Sequence, residues 1–173
     1  GQYTDLTSTT GFIEVREPQF SSDGNKILFT GVNTWTPVGT EGLALYGSRN
    51  IFVYDMVSGK LQQLTTTQTL DNNAIWSPDG SKIAWTLHTM GEGGPGAGRI
   101  YTMNADGTDQ KPLLAQQIGW NESHPVWSPD SNSLALVSII NNQSKIIEYS
   151  LDGSNQKSVA ILDINPLPYY SVE

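Results

Sequence analysis

Residues 74–80 read Ala-Ile-Trp-Ser-Pro-Asp-Gly, and this stretch decides the fold because the chain repeats it. Residues 18–24 read Pro-Gln-Phe-Ser-Ser-Asp-Gly, and residues 125–131 read Pro-Val-Trp-Ser-Pro-Asp-Ser. Proline presets φ for the first central position of a turn, Asp suits the second, and Gly accepts the positive φ that follows, so each copy predicts a tight hairpin. In the third copy Ser131 replaces the glycine, and either Ser131 or Asn132 is expected to adopt the positive φ.

Each copy is followed by the same order of short segments. An apolar strand comes first (residues 83–86 in the middle copy), then a variable loop, a second apolar strand, a Gly-centred turn and a more polar strand. The aromatic residues Phe20, Trp76 and Trp127 are spaced on the order of 50 residues apart, which fits four short strands per repeat. The apolar runs are β-branched and aromatic, and none has the sustained period of a helix. The sequence therefore predicts an all-β fold of three four-stranded blades of a β-propeller, as a partial ring or as half of a six-bladed ring.

The pattern resembles the TolB-like β-propeller repeat family. In that family an aromatic residue followed by Ser-Pro-Asp-Gly precedes an apolar strand, and a later strand ends in Asp-x-x-Gly before Leu-Thr. The matching segments are 76–80, 82–86, 100–107 and 64–65. The resemblance implies a bacterial envelope protein, periplasmic or extracellular. It does not imply one activity, because such repeats occur in TolB, in prolyl oligopeptidase relatives and in oligogalacturonate lyases.

The repeats also predict the blade boundaries. We expect residues 1–17 to hold the last strand of a preceding blade and a linker, and residues 164–173 to start a further blade. Between them we place the three blades at residues 18–66, 67–115 and 116–163. Three blades cannot close a ring, since propellers have about four to eight. We therefore expect either part of a longer chain or a homodimer that completes a six-bladed ring about a two-fold axis.

The composition argues against several classes of partner and site. With 173 residues, 37% of them hydrophobic, the chain has enough apolar material for a core. The formal net charge of −8, without a Lys/Arg cluster, repels phosphate backbones, so we expect no nucleic-acid partner. Because the chain has no Cys, disulfides and thiolate metal sites are excluded. No segment approaches the roughly 20 apolar residues of a membrane span.

Two groups of residues are candidates for a ligand site on the long-loop face of the propeller. The first group precedes the first strand of each repeat and should ring the channel mouth: Glu17, Asn73, His124 and Ser171. His88, in a neighbouring loop, could approach His124, and two His with a carboxylate are a permissible metal set. These residues have no fixed ligand spacing, so we favour a solvated polar channel mouth and predict no metal and no cofactor.

The second group consists of aromatic residues in long loops: Trp35, Trp120, Tyr169 and Tyr170. Such side chains either form a platform for a peptide or sugar ring or cap the propeller. The glycine-rich residues 91–98 lack the Lys-Ser/Thr of a phosphate-binding loop, so we predict a flexible loop there.

The chain contains no Gly-x-Ser-x-Gly nucleophile elbow. We therefore expect a non-enzymatic binding module that engages a protein or peptide partner through the long-loop face. The resemblance implies two enzymatic alternatives. One is the propeller of a metal-dependent lyase of the oligogalacturonate type, and the other is the accessory propeller of a prolyl oligopeptidase-like peptidase.

Overall fold

A computed structural model describes residues 11–33, 48–91, 94–114, 121–140, 143–152 and 156–162. Within these ranges every regular element is a β-strand, and no helix long and apolar enough to cross a membrane is found. The strands are β1 Glu14–Phe20, β2 Lys26–Val32, β3 Asn50–Asp55, β4 Lys60–Gln63, β5 Thr69–Trp76, β6 Lys82–Gly91, β7 Gly94–Asn104, β8 Lys111–Pro112, β9 Asn121–Trp127, β10 Ser133–Ile140, β11 Gln143–Ser150 and β12 Gln156–Leu162. They form three four-stranded antiparallel sheets, each with its strands in chain order, and the predicted fold class is confirmed.

The apolar core lies between successive sheets, which stack face to face as propeller blades do. The first cluster joins the first and second blades through Leu28, Ile51, Val53, Leu64, Ala74, Trp76, Ile83, Trp85 and Met103. The second cluster joins the second and third blades through Ala84, Ile100, Trp127, Leu134, Leu136, Ile147 and Tyr149. The middle blade is therefore buried on both faces, which explains its unbroken apolar runs.

The first strands of the three blades lie nearest one another. β1 contacts β5 and β5 contacts β9, whereas the described residues show no comparable contacts among β4, β8 and β12. The sheets therefore converge on their first strands, and the outer edges of β1, β5 and β9 face the common axis. On β5 the main chain of Arg49 bonds to this edge at Thr69 and Asp71. We call this the axis edge, and we call the contact between neighbouring blades a seam.

The two outer blade faces are open within the described chain. Trp76 and Trp127, the repeated aromatics at the two seams, are only 6% and 8% exposed, but their counterpart Phe20 in the first blade is 63% exposed. On the far face of the third blade Val126 is 61% exposed. The sheets do not close into a ring, and both ends present apolar surface.

The three repeated hairpins share one hydrogen-bond pattern, which explains why Ser and Asp recur. In the middle copy Ser77 Oγ donates to Asp79 Oδ1 at 2.6 Å and accepts from the Lys82 N–H at 2.9 Å. Asp79 Oδ1 also accepts from the Ser81 N–H at 3.0 Å. The Ser-Asp bond recurs at 2.6 Å in the other two copies, for Ser21-Asp23 and Ser128-Asp130.

The fourth position of each hairpin has a positive φ, as the turn chemistry predicts. The angle is 71° at Gly24, 71° at Gly80 and 62° at Ser131, so Ser131 itself adopts the left-handed conformation. The Ser131 hydroxyl oxygen accepts from the Asp79 N–H of the neighbouring blade at 3.1 Å. This inter-blade bond offsets part of the cost of a side chain at positive φ.

The structure corrects one expectation. The predicted flexible loop at residues 91–98 is wrong for residues 94–98, which belong to β7 and pair with β6 as far as the Gly91–Gly94 pair. The predicted blade boundaries stay predictions, and β1, the first strand of the first sheet, begins at Glu14. The predicted preceding strand at residues 1–10 and the predicted new blade at 164–173 lie outside the described residues.

Candidate functional site

A bulge with a left-handed residue occurs at the same place in the first strand of every blade. The register shifts between Arg16 and Gln19 in β1, with equivalent shifts in β5 and β9, so that two residues oppose one on the neighbouring strand. The φ angles are 56° at Glu17, 53° at Asn73 and 53° at His124. These are the three described residues that the repeat alignment placed around the channel mouth. Non-glycine residues at positive φ cost of order 1 kcal/mol each, and bulges re-aim side chains at the edge of a sheet.

Glu17 and Asn73 meet at the first seam. The Asn73 N–H donates to Glu17 Oε2 at 2.6 Å, and Asn73 Nδ2 donates to Glu17 Oε1 at 3.1 Å. Thr30 Oγ1 adds a longer bond of 3.4 Å to the same carboxylate. Both oxygens of Glu17 are therefore engaged by the bulge of the next blade, and the contact fixes the first two blades at the axis edge.

His124 holds the equivalent position at the second seam, and its side chain is exposed. Its Nδ1 lies 3.0 Å from Ser123 Oγ, and no described residue bonds to its Nε2. The structure shows no hydrogen bond between His124 and His88 or between His124 and Asn73 among the described residues. Of the predicted ring, Glu17 and Asn73 are thus joined directly, while His124 presents a free polar surface.

A polar chain beside the ring joins the first two blades on the same face. Arg49 Nη2 donates to Glu14 Oε2 at 2.9 Å, and Arg49 Nη1 donates to Asn72 Oδ1. Asn72 Nδ2 lies 3.3 Å from His88 Nδ1. The bond from Arg49 lowers the pKa of Glu14, whereas partial burial lowers the pKa of His88 against a smaller opposite effect of a hydrogen bond with the Leu70 backbone.

Two buried carboxylates, at Asp71 and Glu122, were missed by sequence reasoning. Asp71 is fully buried and accepts from Thr65 Oγ1 at 2.6 Å, Trp85 Nε1 at 3.1 Å and Thr69 Oγ1 at 3.3 Å. Thr65 Oγ1 also accepts from the Ile51 N–H at 2.9 Å, so the hydroxyl relays a main-chain donor of β3 to the carboxylate. Burial raises the pKa of Asp71 to about 6, and the hydrogen bonds only partly offset this.

Glu122 performs the same task at the second seam without a relay. Leu114 stands where the first seam has Thr65, as the matching bonds of Leu64 to Ile51 and of Leu113 to Ile100 show. Leu114 has no hydroxyl, and the longer Glu122 side chain accepts directly from the Ile100 N–H at 3.1 Å. Arg99 Nε lies 3.7 Å from Glu122 Oε2 and compensates its charge. The feature of the sequence that could have revealed the two buried carboxylates is an acidic residue two positions before Asn73 in the second blade and two positions before His124 in the third.

Gly98 permits the close approach of β7 and β9 at this seam. A Cβ at Gly98 would overlap the Glu122 carbonyl oxygen and would lie 2.9 Å from His88 Nε2. The Gly98 N–H donates to Asn121 Oδ1 at 2.8 Å. The glycine-rich sequence therefore has a packing role here, beside the candidate site.

The predicted aromatic group cannot be placed. Trp35, Trp120, Tyr169 and Tyr170, together with Ser171 of the predicted ring, lie outside the described residues. Whether those aromatics form a platform or a cap stays a prediction.

Comparison with known proteins agrees with this geometry. A family model described as the TolB beta propeller domain matches residues 31–170. The chain belongs to the TolB β-propeller domain family. The resemblance drawn from the Ser-Pro-Asp-Gly repeats is thereby confirmed.

Individual relatives of this TolB-type chain include both TolB and enzymes. The chain is 25% identical over 160 residues to a protein described as the uncharacterized peptidase YuxL of Bacillus subtilis, covering 92% of this chain and 22% of the relative. TolB from Acinetobacter baumannii superposes with a TM-score of 0.62 at 19% identity, covering 85% of this chain and 32% of that one. An oligogalacturonate lyase in complex with manganese gives 0.69 at 17% identity, covering 88% and 43%. These structural likenesses show the fold alone, and the chain spans about a fifth of the curated relative.

The described residues do not form a candidate metal site. Among the described side chains there is no group of three or more His, Cys, Asp or Glu that could hold a metal ion. His88 lies against the Asn72 amide and His124 against the Ser123 hydroxyl, so neither histidine faces a carboxylate.

Proposed function

We propose that this TolB-type chain is a non-enzymatic binding module that engages a protein or peptide segment at the axis edge of its long-loop face. The observation that carries the proposal is the bulge repeated at Glu17, Asn73 and His124. A glycine at any of these positions would relieve the backbone strain, but each holds a polar side chain instead. Strained, polar positions on a rigid sheet edge are typical of binding sites.

The site has the polarity that peptide recognition requires. It offers the exposed imidazole of His124 and the Glu17–Asn73 pair on two adjacent blades, beside the chain of Glu14, Arg49 and Asn72. A bound peptide exchanges hydrogen bonds with such fixed groups and adds apolar contacts around them. By likeness to TolB we propose a periplasmic or extracellular location.

A second candidate is the substrate-selecting propeller of a peptidase. The observation that favours it is the 25% identity to the peptidase YuxL over 92% of this chain. The same peptide-binding face would then present substrate segments to a catalytic unit elsewhere in a longer chain. The lyase alternative is supported by the likeness of fold to an oligogalacturonate lyase, and among the described residues no group of side chains that could hold a metal is found.

A peptide-display selection on the protein tests the binding function. The test variant Asn73→Gly/His124→Gly removes two ring side chains and leaves the backbone unstrained. The matched control Asn25→Gly/Asn132→Gly changes two exposed asparagines at the hairpin end of the blades. We expect selected peptides to bind the test variant about tenfold more weakly and the control as tightly as the wild type.

The outcomes separate the candidate functions. Peptides that bind both variants equally, or a selection that enriches no peptide, would refute binding at this face. Mass spectrometry of the selected peptides after incubation with the protein separates the module from a peptidase, because cleavage products would favour the peptidase. Stoichiometric manganese in the protein, lost in His124→Ala, would revive the lyase.

The exposed outer faces concern assembly rather than the ligand. Phe20 and Val126 present apolar surface that a further blade of a longer chain or a second copy in a six-bladed ring would cover. Both assemblies remain proposals. Light scattering of the protein tests the homodimer, since a stable monomer would refute it.

A further inference from the structure

The first seam shows how a carboxylate satisfies the bulge of the next blade. At Asn73 the main-chain N–H and the side-chain amide both donate to Glu17, at 2.6 and 3.1 Å. A charged acceptor on a main-chain donor makes a stronger hydrogen bond than a neutral one does. Glu17 therefore acts as an internal carboxylate ligand of the β5 bulge.

A second acceptor covers the same edge three residues further along β5. The Trp76 N–H donates to Gln19 Oε1 at 2.8 Å. This N–H points away from its own sheet, because the ladder bond beside it is made by the next residue, from the Ser77 N–H to the Lys82 carbonyl at 2.9 Å. One carboxylate and one amide oxygen of β1 thus cover two main-chain donors of β5.

The third blade presents the same two donors. His124 has the φ of Asn73, 53° in both cases, on an equivalent bulge of β9. The ladder bond beside Trp127 is again made by the next residue, from the Ser128 N–H to the Ser133 carbonyl at 2.9 Å. The N–H groups of His124 and Trp127 therefore point out of their sheet at the axis edge.

Within the described part of the chain, the second seam lacks the acceptors that cover these donors at the first. Asn73 and Ile75 stand where the first blade has Glu17 and Gln19. The side chain of Ile75 carries no acceptor, and the side-chain amide of Asn73 points back to the first seam, where its Nδ2 donates to Glu17 Oε1 at 3.1 Å. Among the described residues no side chain accepts from the N–H of His124 or of Trp127.

We propose that a peptide carboxylate binds at the second seam, where it accepts from the His124 N–H while a neighbouring peptide carbonyl accepts from the Trp127 N–H. The ligand thus takes the place that Glu17 and Gln19 hold at the first seam. Glu122 lies nearby, but it is buried, bonded to the Ile100 N–H and 3.7 Å from Arg99, so its charge is compensated. This inference rests on the proposed peptide-binding function and names the chemical group that the site recognises.

A titration with a minimal peptide tests the proposal. N-acetylglycylglycine carries one carboxylate and neighbouring carbonyls, and its carboxamide is the matched control without charge. Two-dimensional ¹H–¹⁵N spectra of the protein should show saturable shifts of the His124 and Trp127 amides with the free acid, and about fivefold weaker binding of the carboxamide. N-acetylglutamate carboxamide forms a further arm, which distinguishes a side-chain carboxylate from a chain terminus.

Two variants test the geometry. His124→Gly keeps the left-handed N–H and removes the imidazole, so the short free acid, which the main chain holds, should bind within about twofold of the wild type, whereas longer display-selected peptides should also lose contacts with the side chain. Asn73→Glu supplies the missing internal carboxylate, and binding of the free acid should be lost. Should Asn73→Glu fail to fold, the comparison of acid and carboxamide on the wild-type protein decides alone.

The results that overturn the inference differ from those that overturn the binding function. Equal binding of acid and carboxamide, or shifts centred away from His124 and Trp127, would refute the carboxylate site. Display-selected peptides that depend on Asn73 and His124 but bind equally as acids and amides would leave the binding function standing and refute this inference alone.

Discussion

Asp71 should make the stability of this protein fall as the pH rises from acid to neutral, and replacing it with Asn should remove that dependence. The carboxylate is fully buried at the first seam, and its described neighbours donate three hydrogen bonds, from Thr65, Thr69 and Trp85, without a cation. Burial raises its pKa from an ordinary 3.8 to about 6. The folded protein therefore binds a proton at Asp71 in a pH range where the unfolded chain has released it.

The sign and size follow from proton linkage. Because the folded state binds more protons between pH 3.8 and about 6, the contribution of Asp71 to the free energy of unfolding is largest at low pH and declines as the pH rises through about 6. The full effect of a shift from 3.8 to about 6 is about 3 kcal/mol. Between pH 5 and pH 8 the loss is about 1.4 kcal/mol.

Urea unfolding of wild type and Asp71→Asn at pH 5, 6, 7 and 8 measures this term. His88, whose pKa is lowered by burial, titrates in both proteins, so the difference between them isolates Asp71. We expect the stability of the wild type relative to the variant to decrease by about 1.4 kcal/mol from pH 5 to pH 8. Thr65→Val removes a hydrogen bond that stabilises the charged carboxylate, so it should destabilise more at pH 8 than at pH 5. A difference between wild type and Asp71→Asn that stays constant over this range would refute the reasoning.

Three further substitutions probe the seams. Gly98→Ala should lower the free energy of unfolding by about 1–3 kcal/mol, because its Cβ would overlap the Glu122 carbonyl; thermal unfolding measures this, and an unchanged midpoint would contradict it. Glu122→Asp should lower the free energy of unfolding by about 1–3 kcal/mol, because the shorter side chain withdraws the carboxylate from a main-chain N–H of β7. Adding Leu114→Thr copies the hydroxyl relay of the first seam and should recover part of that loss, as measured by urea unfolding. No recovery in the double variant would refute the relay. Ser131→Gly should change stability by less than about 0.5 kcal/mol, since relief of the positive φ offsets the lost bond to Asp79; a larger loss would mean that the bond dominates.

The blade architecture could be predicted because the information is local and occurs three times. Each Ser-x-Asp-x hairpin satisfies its own donors through side chains two to five residues away, as Ser77 does with Asp79 and Lys82. Such turns form from neighbouring residues, so their sequence pattern is readable without knowledge of the rest of the fold. The aromatic residue before each hairpin, such as Trp76, then indicates the face that the preceding blade buries.

The chemistry at the seams could not be predicted in the same way, because it depends on residues of two blades. Alignment placed Glu17, Asn73 and His124 at one level of the propeller, but Glu rarely adopts a positive φ, and the modest enrichment of Asn and His there does not predict one at a given position. Asp71 was not recognised as buried, since acidic residues are usually exposed. Asp71 is recognisable as a buried residue only through its pairing with Thr65 of the first blade, and the sequence alone does not show that these two residues are neighbours.

Comparison of the two seams explains why one of them is the better candidate for a ligand. Both present equivalent main-chain donors on bulges of equal φ, so the backbone does not distinguish them. At the two buried carboxylates the differences in sequence compensate each other. Leu114 and Glu122 at the second seam replace Thr65 and Asp71 at the first, and the main-chain N–H of Ile100 is bonded as that of Ile51 is. At the axis edge no described side chain replaces the acceptor that Glu17 supplies to Asn73. Because His124 is exposed, water is available to its bulge N–H in the free protein, and a ligand carboxylate would replace that water with a charged acceptor of the kind that Glu17 supplies at the first seam.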